Sequence, residues 1–416
     1  MKIRLYDLFI DMIIIIGVGI PLVFIWTLDT WRTVLTLMIL LFLVVYLVTH
    51  GIKKNTSNGF LRFYLIIFAG ILIFETVKGI KLYNYSFNEV FYALRPYIWL
   101  LFSIPLFGEL LKADYYDKYI KKFVNITLIS LGIRTVTWFF NNYLKISIFY
   151  NLAHEYGNVW GRAGKLRIDA TALIGVLIPL LFYLYKKYKN KKYLGYLLIS
   201  FGYVCIVSQT RTLSIGVFAC IVAMLFFEKR SLSKKLIIQL GIFAIILIVL
   251  NTGALDYIMA SMNISLTDGS IGYRQYEFNY YASLLSDSKW ITGLGVLTSK
   301  NGNARRLLFG DLSTQMYIDD LGMFESILQF GVLAIALYLI LIIYIIYIIY
   351  KCNKFGEHAY SVYLIGQLIY ICIVSIPLNL FGIQRIFSVS LILAITCSID
   401  NKIKNKIENE KSKIII

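Results

Sequence analysis

Several ionisable side chains fall inside or at the ends of otherwise apolar stretches, where a charge is costly and is read as functional by default. They are Glu75, Arg95, Arg134, Arg211, Glu325 and Arg385. Arg134 lies well inside its stretch, and Arg211 stands beside hydroxyls and an amide in SQTRT (208–212). A guanidinium in such surroundings suits phosphate, because its planar fork donates two parallel hydrogen bonds. The competing interpretation is that arginines at helix ends snorkel to lipid headgroups.

The elements that must position these side chains are membrane-spanning helices. Hydrophobic residues make up 59% of the 416 residues and charged residues 15%, and the apolar residues form blocks of roughly 17 to 25, which is the length that crosses a bilayer core. Backbone groups in lipid must bond within their own segment, and no block has the alternating period of barrel strands. We therefore predict an all-α integral membrane protein, with about twelve transmembrane helices in a single polytopic domain over residues 1–416.

The predicted spans cover residues 8–28, 32–50, 61–80, 90–111, 123–140, 169–186, 194–210, 212–227, 236–252, 322–350, 360–377 and 382–399. Between them lie a smaller loop at 141–168 and a large loop at 253–320, with a short, charged and frayed tail at 400–416. The large loop has a helical pattern at 273–285. Loops of this length are usually structured or functional.

Lysine placement orients the protein by the positive-inside rule. The runs at 53–54, 121–122, 186–192, 234–235 and 402–413 fall in alternate loops, which predicts cytoplasmic termini and external loops at 141–168 and 253–320. The cytoplasmic segments then hold 22 of the 28 lysines but only 3 of the 13 arginines. The arginines outside the cytoplasmic segments suggest an anionic ligand, because a guanidinium binds phosphate and carboxylate groups through two parallel hydrogen bonds. The net charge of +18 is therefore explained by lysines that set the membrane topology and lie beside anionic lipid headgroups. No nucleic-acid partner is predicted.

The sequence has no motif for a cofactor or a metal. It lacks HExxH, DxD, a cysteine cluster and a glycine-rich phosphate loop. The five cysteines fall in or beside apolar blocks without CxxC spacing. We therefore predict no metal and no cofactor. Among the three histidines, only His154 falls in a predicted external loop, where it is a minor candidate for a base.

The second half of the chain resembles a known family in the order of its motifs. SQTRT (208–212) stands between two central helices, and the large loop then has Arg274 in GYRQY (272–276), an aromatic helical stretch and GLG (293–295). Acidic residues and the spaced glycines of LGMFESILQFGVLA (321–334) follow. This order is similar to that of the O-antigen and capsule polymerases and the related O-antigen ligases, over roughly residues 170–350. Thr210 and Ala334 depart from the pattern, which usually has serine and glycine there.

The resemblance favours the polymerase branch, because ligases have a histidine near the end of the outer loop and residues 253–320 contain none. It implies a bacterial plasma-membrane enzyme of inverting type, working on the outer face without metal or nucleotide sugar. Such an enzyme transfers a growing polyprenyl-pyrophosphate-linked glycan to the next lipid-linked repeat unit. The implied partners are these lipid-linked units, membrane lipid, a chain-length regulator and a flippase.

A lipid-pyrophosphate leaving group requires cations, which arginine supplies where no metal is bound. We predict Arg211 and Arg274 in this role, supported by Arg134, Arg305 and Arg306. An attacking sugar hydroxyl requires a proton acceptor. The candidates, in order, are Asp320, Asp319, Glu325 and Glu277. Acidic residues before a helix also commonly cap it, which is the competing interpretation.

Aromatic side chains of the large loop, chiefly Tyr273 and Tyr276, are candidates for glycan contact, although they would also suit a helix lying on the membrane. Two alternative functions stay open. One is a transporter or flippase for the same lipid-linked saccharides, which should show two comparable halves and needs no long outer loop. The other is the ligase branch of the family.

Overall fold

A computed structural model describes residues 5–24, 27–50, 58–112, 115–146, 161–162, 165–171, 173–228, 269–285, 288–310 and 318–414. Within these ranges the chain is almost entirely helical, and its one sheet is the antiparallel pair Gly161–Arg162 and Lys165–Leu166. The predicted span at 236–252 and most of the predicted loop at 141–168, including His154, lie outside the described residues.

The α-helices, in chain order, are α1 (Leu5–Gly17), α2 (Ile20–Phe24), α3 (Leu28–His50), α4 (Gly59–Tyr83), α5 (Phe87–Ile98), α6 (Ser103–Leu110), α7 (Tyr116–Phe139), α8 (Ile174–Tyr188), α9 (Lys192–Tyr203), α10 (Arg211–Phe227), α11 (Gly269–Leu284), α12 (Lys289–Thr292), α13 (Gly302–Phe309), α14 (Met323–Phe330), α15 (Val332–Lys354), α16 (His358–Val374) and α17 (Ile386–Ile414). Turns of 3₁₀ helix join α5 to α6 (Trp99–Phe102) and precede α14 (Ile318–Leu321). Turns of π helix end α7 (Phe140–Leu144) and α9 (Val204–Ser208).

Within the described part of the chain, six helical stretches are long and apolar enough to cross a membrane: Leu28–His50, Gly59–Tyr83, Phe87–Leu110, Tyr116–Leu144, Val332–Lys354 and Ile386–Glu410. Shorter apolar stretches accompany them at Lys192–Ser208, Arg211–Phe227 and His358–Val374. Each helix bonds its own backbone groups, as lipid requires. The chain is therefore an all-α, multi-pass membrane protein.

Helix α16 stands in the middle of the bundle and packs against α8, α10 and α15. All residues from Ser361 to Gln367 are buried. A helix that is apolar on every side, as this one is, is typical of an element surrounded by others.

The prediction of one continuous span at 322–350 is wrong, because α14 and α15 meet at a break at Gly331. Gly331 has φ 61°, which residues with a side chain rarely adopt. Its backbone packs directly on the backbone beside Gly293, which has φ 69°. An added Cβ at Gly331 would lie 2.2 Å from the Ile291 carbonyl oxygen, and one at Gly293 would lie 2.3 Å from that of Gln329. Hydropathy does not reveal this break, since apolar residues lie on both sides of it.

The predicted span at 8–28 is also divided, into α1 and α2, around Gly19 (φ 75°). The break is held from outside: Trp31 Nε1 donates to the Ile16 carbonyl (2.5 Å), and Arg134 Nη2 donates to the Val18 carbonyl (3.1 Å). Carbonyl groups at a helix end have no partner within the helix, so these donors satisfy them.

Ion pairs collect at the end of the bundle where α15 ends and α16 begins, called the lysine end below. Lys187 pairs with Asp117 (2.6 Å), and Lys351 pairs with Asp400 (2.7 Å). Asp400 is 2% exposed although it falls in the predicted tail. The expectation of a frayed tail at 400–416 is therefore wrong as far as Ile414, because α17 continues to that residue and packs against the bundle.

At the opposite end, the described part of the large loop folds into helices α11, α12 and α13. With the turn Ile318–Leu321 they form a unit, called the cap, which comprises residues 269–285, 288–310 and 318–321. Its small core contains Tyr281, Leu285, Leu294 and Ile318, together with Leu328 of α14. The prediction of a helix at 273–285 is confirmed by α11.

The contact between Gly293 and Gly331 predicts a sharp response to a single methyl group. Gly331→Ala or Gly293→Ala should each destabilise the protein by at least about 2 kcal/mol, because alanine combines a strained φ with a backbone collision. In detergent, this should lower the midpoint of thermal unfolding by roughly 4 °C or more.

Gly302→Ala is the matched control within the cap, because an added Cβ there meets no atom within 4 Å and its φ is not positive. Equal unfolding midpoints for all three variants would show that the two backbones do not touch.

Candidate functional site

A cavity of about 260 Å³ lies at the cap end of the bundle, and we call it the main cavity. Its walls come from the first turn of α3, from α5, from the cap, from α14 and from the segment joining α16 to α17. Helices α3 and α5 contribute arginines, the cap contributes a lysine, and α14 contributes a carboxyl group. The fold thus brings cations and acids from distant parts of the chain to one place.

One wall of the main cavity carries three cations, Arg32, Arg95 and Lys300. Arg95 is 2% exposed, and its Nη2 donates to Asp29 Oδ1 (3.1 Å) while its Nη1 donates to Thr33 Oγ1 (2.9 Å). Asp29 and Thr33 are four residues apart on α3 and so share one face of that helix. Lys300 Nζ donates to the other carboxylate oxygen, Asp29 Oδ2 (3.0 Å). One carboxylate therefore holds two cations in place.

The Tyr92 ring lies against both of these cations. The Arg95 Cζ is 4.9 Å from its centroid and the Lys300 Nζ is 5.0 Å from it, distances at which a cation is attracted to the ring face. Helix α5, which carries Tyr92 and Arg95, begins with a capping box between Ser86 and Glu89. Asn301 of the cap donates to Glu89 Oε1 (3.1 Å), so the start of α5 and the cap are joined.

The acids Glu325 and Asp319 also line the main cavity. Asn379 Nδ2 donates to Glu325 Oε2 (2.8 Å), and Gln329 Nε2 approaches Glu325 Oε1 at 3.5 Å. Gln329 Oε1 in turn accepts from the Leu297 N–H of the cap (3.2 Å). The Glu325 carboxyl is thus oriented by amide groups on both oxygens.

The side chain of Asn379 is itself fixed by hydrogen bonds. Its Oδ1 accepts from the Ser326 hydroxyl (2.8 Å), the Tyr338 hydroxyl (2.9 Å) and the Phe381 N–H (3.0 Å). Asn379 is 3% exposed. A buried polar network with its members satisfied is rigid, because any displaced group would lose a bond that water cannot replace.

The protonation of Glu325 is shifted by its surroundings. Burial raises the pKa of the Glu325 carboxyl, and the nearby Asp319 charge raises it further, whereas the Asn379 hydrogen bond and the Arg385 charge act in the opposite direction. A raised pKa is a property of carboxyl groups that exchange protons near neutral pH. Among the described residues, no group of three or more His, Cys, Asp or Glu side chains is placed to hold a metal ion.

The cap is fixed over the main cavity by the end of α4. Lys78 Nζ donates to the Thr292 carbonyl (2.7 Å), and the Tyr83 hydroxyl donates to the Leu294 carbonyl (2.8 Å). Glu75 is fully buried 3.7 Å from Lys78 and keeps that ammonium group in place. The ionisable residue that stood out in this apolar stretch therefore supports the cap.

Of the residues predicted for the site, Asp319 and Glu325 line the main cavity. Arg134 does not: its guanidinium donates to the main-chain carbonyls of Val18 (3.1 Å) and Asp169 (3.1 Å) and is 5% exposed. The guanidinium of Arg134, for which the sequence predicted contact with substrate, thus bonds to main-chain groups of the protein itself.

The other predicted residues with described side chains also lie outside the lining of the main cavity. Arg274 and Tyr276 are exposed on α11, Glu277 is buried on α11, Arg305 and Arg306 are exposed on α13, and Arg211 is half-buried at the first residue of α10. The side chains of Tyr273 and Asp320 lie outside the described residues. Roles in catalysis or binding for all these residues stay predictions.

Sequence reasoning missed Asp29, Arg32, Tyr92 and Lys300 as cavity residues, and it named Arg95 only as a charge in an apolar stretch. The excess of arginine over lysine in the outward segments was a signal for Arg32 and Arg95. No local signal joins Lys300 to Asp29, because they are 271 positions apart.

The fold makes the protein a helical multi-pass membrane protein, and the main cavity at one end of it is lined by three cationic and three acidic side chains. A search against models of known protein families and against curated proteins finds no match to the chain.

The network under Glu325 predicts that Asn379→Leu is strongly destabilising although the volume hardly changes. The substitution leaves the Glu325 oxygen, two hydroxyls and an N–H buried without their partner, at a cost of about 1–3 kcal/mol for each unsatisfied group. The unfolding midpoint in detergent should fall by several degrees.

Asn303→Leu is the control, since Asn303 is an exposed asparagine on α13. If Asn379→Leu unfolds at the wild-type temperature, the buried network does not stabilise the fold.

Proposed function

We propose that the protein is a polysaccharide polymerase, an enzyme that transfers a growing polyprenyl-pyrophosphate-linked glycan onto the next lipid-linked repeat unit. The observation that carries the proposal is the main cavity, whose lining combines buried Arg95, Arg32 and Lys300 with the buried carboxyl of Glu325. Fixed cations and an oriented proton acceptor are the two groups that metal-independent glycosyl transfer from a pyrophosphate requires. The order of motifs that resembles the O-antigen and capsule polymerases supports the same reaction.

In the proposed reaction, a hydroxyl oxygen of the acceptor sugar forms a bond to the anomeric carbon of the donor glycan. The bond from that carbon to the pyrophosphate oxygen breaks, and its electron pair leaves with the pyrophosphate. The hydroxyl proton passes to the Glu325 carboxylate. Arg32, Arg95 and Lys300 stabilise the charge that develops on the leaving group, and their fixed positions avoid reorganisation during the step.

The proposed location is a bacterial plasma membrane with the main cavity on the outer face and both termini in the cytoplasm. The lysine end, with its paired Lys187 and Lys351, is then cytoplasmic, as the positive-inside rule requires. In this topology the chain crosses the membrane about twelve times. Arg211, Arg274 and Asp320 are proposed to meet the substrate as it approaches the cavity.

Two rivals make different demands on the cavity. A flippase carries the saccharide across the bilayer without forming a glycosidic bond. A ligase would use the same chemistry but attach finished chains to a different acceptor. A defined lipid-linked repeat unit supplied alone distinguishes the three, because only a polymerase lengthens it.

Glu325→Gln should abolish chain growth on such a repeat unit by the purified protein, with a rate at least about a hundredfold lower, because the amide cannot accept the proton. Arg95→Ala should also reduce the rate strongly. In cells, both variants should leave single repeat units in place of a long ladder on a gel. Glu408→Gln on the exposed face of α17 and Arg62→Ala at the start of α4 are matched controls.

The dependence of the wild-type rate on pH separates a proton acceptor from a merely structural carboxyl. The rate should rise with pH through the raised pKa of Glu325, since only the ionised carboxylate accepts the proton. A long ladder from Glu325→Gln would exclude this residue as the base. If the wild-type protein itself does not lengthen the repeat unit, the proposed function is wrong.

The proposed orientation predicts which positions react with a membrane-impermeant maleimide in intact cells. In a variant without the five native cysteines, Ser299→Cys beside the main cavity should be labelled in intact cells. Asn405→Cys at the lysine end should be labelled only after permeabilisation. Both residues are exposed in the fold, so access depends on the side of the membrane alone. The reverse labelling pattern would place the cavity in the cytoplasm.

A further inference from the structure

A second, smaller cavity lies behind the segment that joins α16 to α17. Phe381 and Ile383 of this segment line the main cavity, whereas Gln384 and Arg385 line the smaller one. The segment is therefore the partition between the two cavities. An added Cβ at Gly382 would lie 3.3 Å from Glu325 Oε2. The backbone of this segment therefore lies directly beside the proposed base.

The smaller cavity is polar at its centre. Thr171 is 4% exposed, and its hydroxyl has no hydrogen-bond partner within the described part of the chain. The guanidinium of Arg385 lines the same cavity and forms no hydrogen bond or ion pair of its own with the residues that the structure describes. A buried hydroxyl without a partner costs free energy, which a ligand oxygen would recover.

Among the described residues that line the smaller cavity, Arg385 is the cation. It acts electrostatically on both Glu325 and the Tyr370 hydroxyl. The guanidinium of Arg134 donates to the main-chain carbonyl of Asp169. The Asp169 carboxylate also lines the cavity, and its Oδ1 accepts from the Ala170 N–H (2.9 Å). An anion that enters the cavity therefore depends on Arg385 for its positive partner.

The size and position of the cavity restrict what enters it. Its volume of about 20 Å³ holds one water-sized group, so it can receive a single oxygen of a larger anion whose remainder stays outside. Ile174, Leu213 and Tyr370 come from three apolar helices, and Gln384 is exposed at the cavity. The exposed side of the cavity lies at Gln384, so an anion that binds Arg385 enters there while the rest of the molecule stays outside.

We propose that Arg385 and Thr171 form a phosphate subsite that binds a phosphoryl oxygen of a prenyl pyrophosphate, on the far side of the Asn379–Arg385 partition from Glu325. The subsite rests on the proposed function, in which both substrates are pyrophosphates linked to a lipid chain. It gives the second pyrophosphate a place of its own, since Arg95 and Lys300 hold the first at the main cavity. Arg385 binds the anion, and Thr171 donates its hydroxyl hydrogen to the same group.

The test is titration of the purified full-length protein in nanodiscs with farnesyl pyrophosphate, which carries both a prenyl chain and a pyrophosphate. Arg385→Ala should weaken its affinity roughly 10- to 100-fold, as expected for a lost hydrogen bond to a charged group. Thr171→Val, which keeps the shape of the side chain, should weaken it about 2- to 10-fold. Arg385→Lys should recover part of the loss, because charge without the planar fork remains.

Arg62→Ala, at the lysine end, is the matched control and should bind as wild type does. Farnesol should bind the wild type and Arg385→Ala equally, because it lacks the anion. Inorganic pyrophosphate should compete with farnesyl pyrophosphate in the wild type. Unchanged farnesyl pyrophosphate affinity in both Arg385→Ala and Thr171→Val would overturn the subsite and leave the cavity to water. Loss of farnesyl pyrophosphate binding only in nanodiscs that contain phosphatidylglycerol would make it a phospholipid site and also overturn the proposal.

Chain growth on a lipid-linked repeat unit separates this inference from the proposed function. If the wild type lengthens the repeat unit while Arg385→Ala binds farnesyl pyrophosphate normally, the subsite is wrong and the polymerase assignment stands. If farnesyl pyrophosphate binding depends on Arg385 but no variant or wild-type protein lengthens the unit, the subsite stands and the assignment is wrong.

Discussion

The backbone contact between Gly293 and Gly331 sets the position of the cap, and the main cavity depends on that position. The Leu294 N–H donates to the Leu328 carbonyl (2.7 Å) and the Gly295 N–H to the Gln329 carbonyl (3.1 Å), so hydrogen bonds run beside the glycine contact. The Gln329 side chain then joins the cap to the Glu325 carboxyl. Because the cations on one wall include Lys300 of the cap, any shift of this contact would change the separation of cations and carboxyl groups.

Much of the fold was predictable from apolar blocks, because a helix in lipid must be about as long as the bilayer is thick. The errors fall where a backbone conformation, rather than hydropathy, decides the path. Gly331 and Gly19 lie within continuous apolar sequence, and their positive φ angles depend on what packs against them. The helical tail was missed for a similar reason, since the Asp400 carboxylate is buried among partners from distant parts of the chain, Asn58, Tyr344 and Lys351.

The sequence predicted the type of the candidate site, a polar end with cations and acids, better than it predicted the individual residues. The separate counts of lysine and arginine predicted an arginine-rich polar end, and Asp319 and Glu325 were named before the cavity was known. The sequence could not show that the buried charge of Arg134 is engaged by main-chain carbonyls, because one of them, the Val18 carbonyl, becomes available only where α1 ends. It also could not pair Asp29 with both Arg95 and Lys300, since such pairing depends on the packing of α3, α5 and the cap.

The cap and the adjoining helix α14 are held by residues from distant parts of the sequence, so these contacts form at different times during biosynthesis. Lys78, which bonds to Thr292, is made early, whereas Ser375, whose carbonyl accepts from the Met323 N–H (2.8 Å), is made almost last. Chains emerge from the ribosome N-terminus first, and early parts fold before late ones exist. In a nascent chain that has not reached Ser375, the earlier apolar helices are already present. The helix α14, which carries Glu325, still lacks the Ser375 carbonyl that accepts a hydrogen bond at its start. The main cavity is therefore completed only after most of the chain has been made.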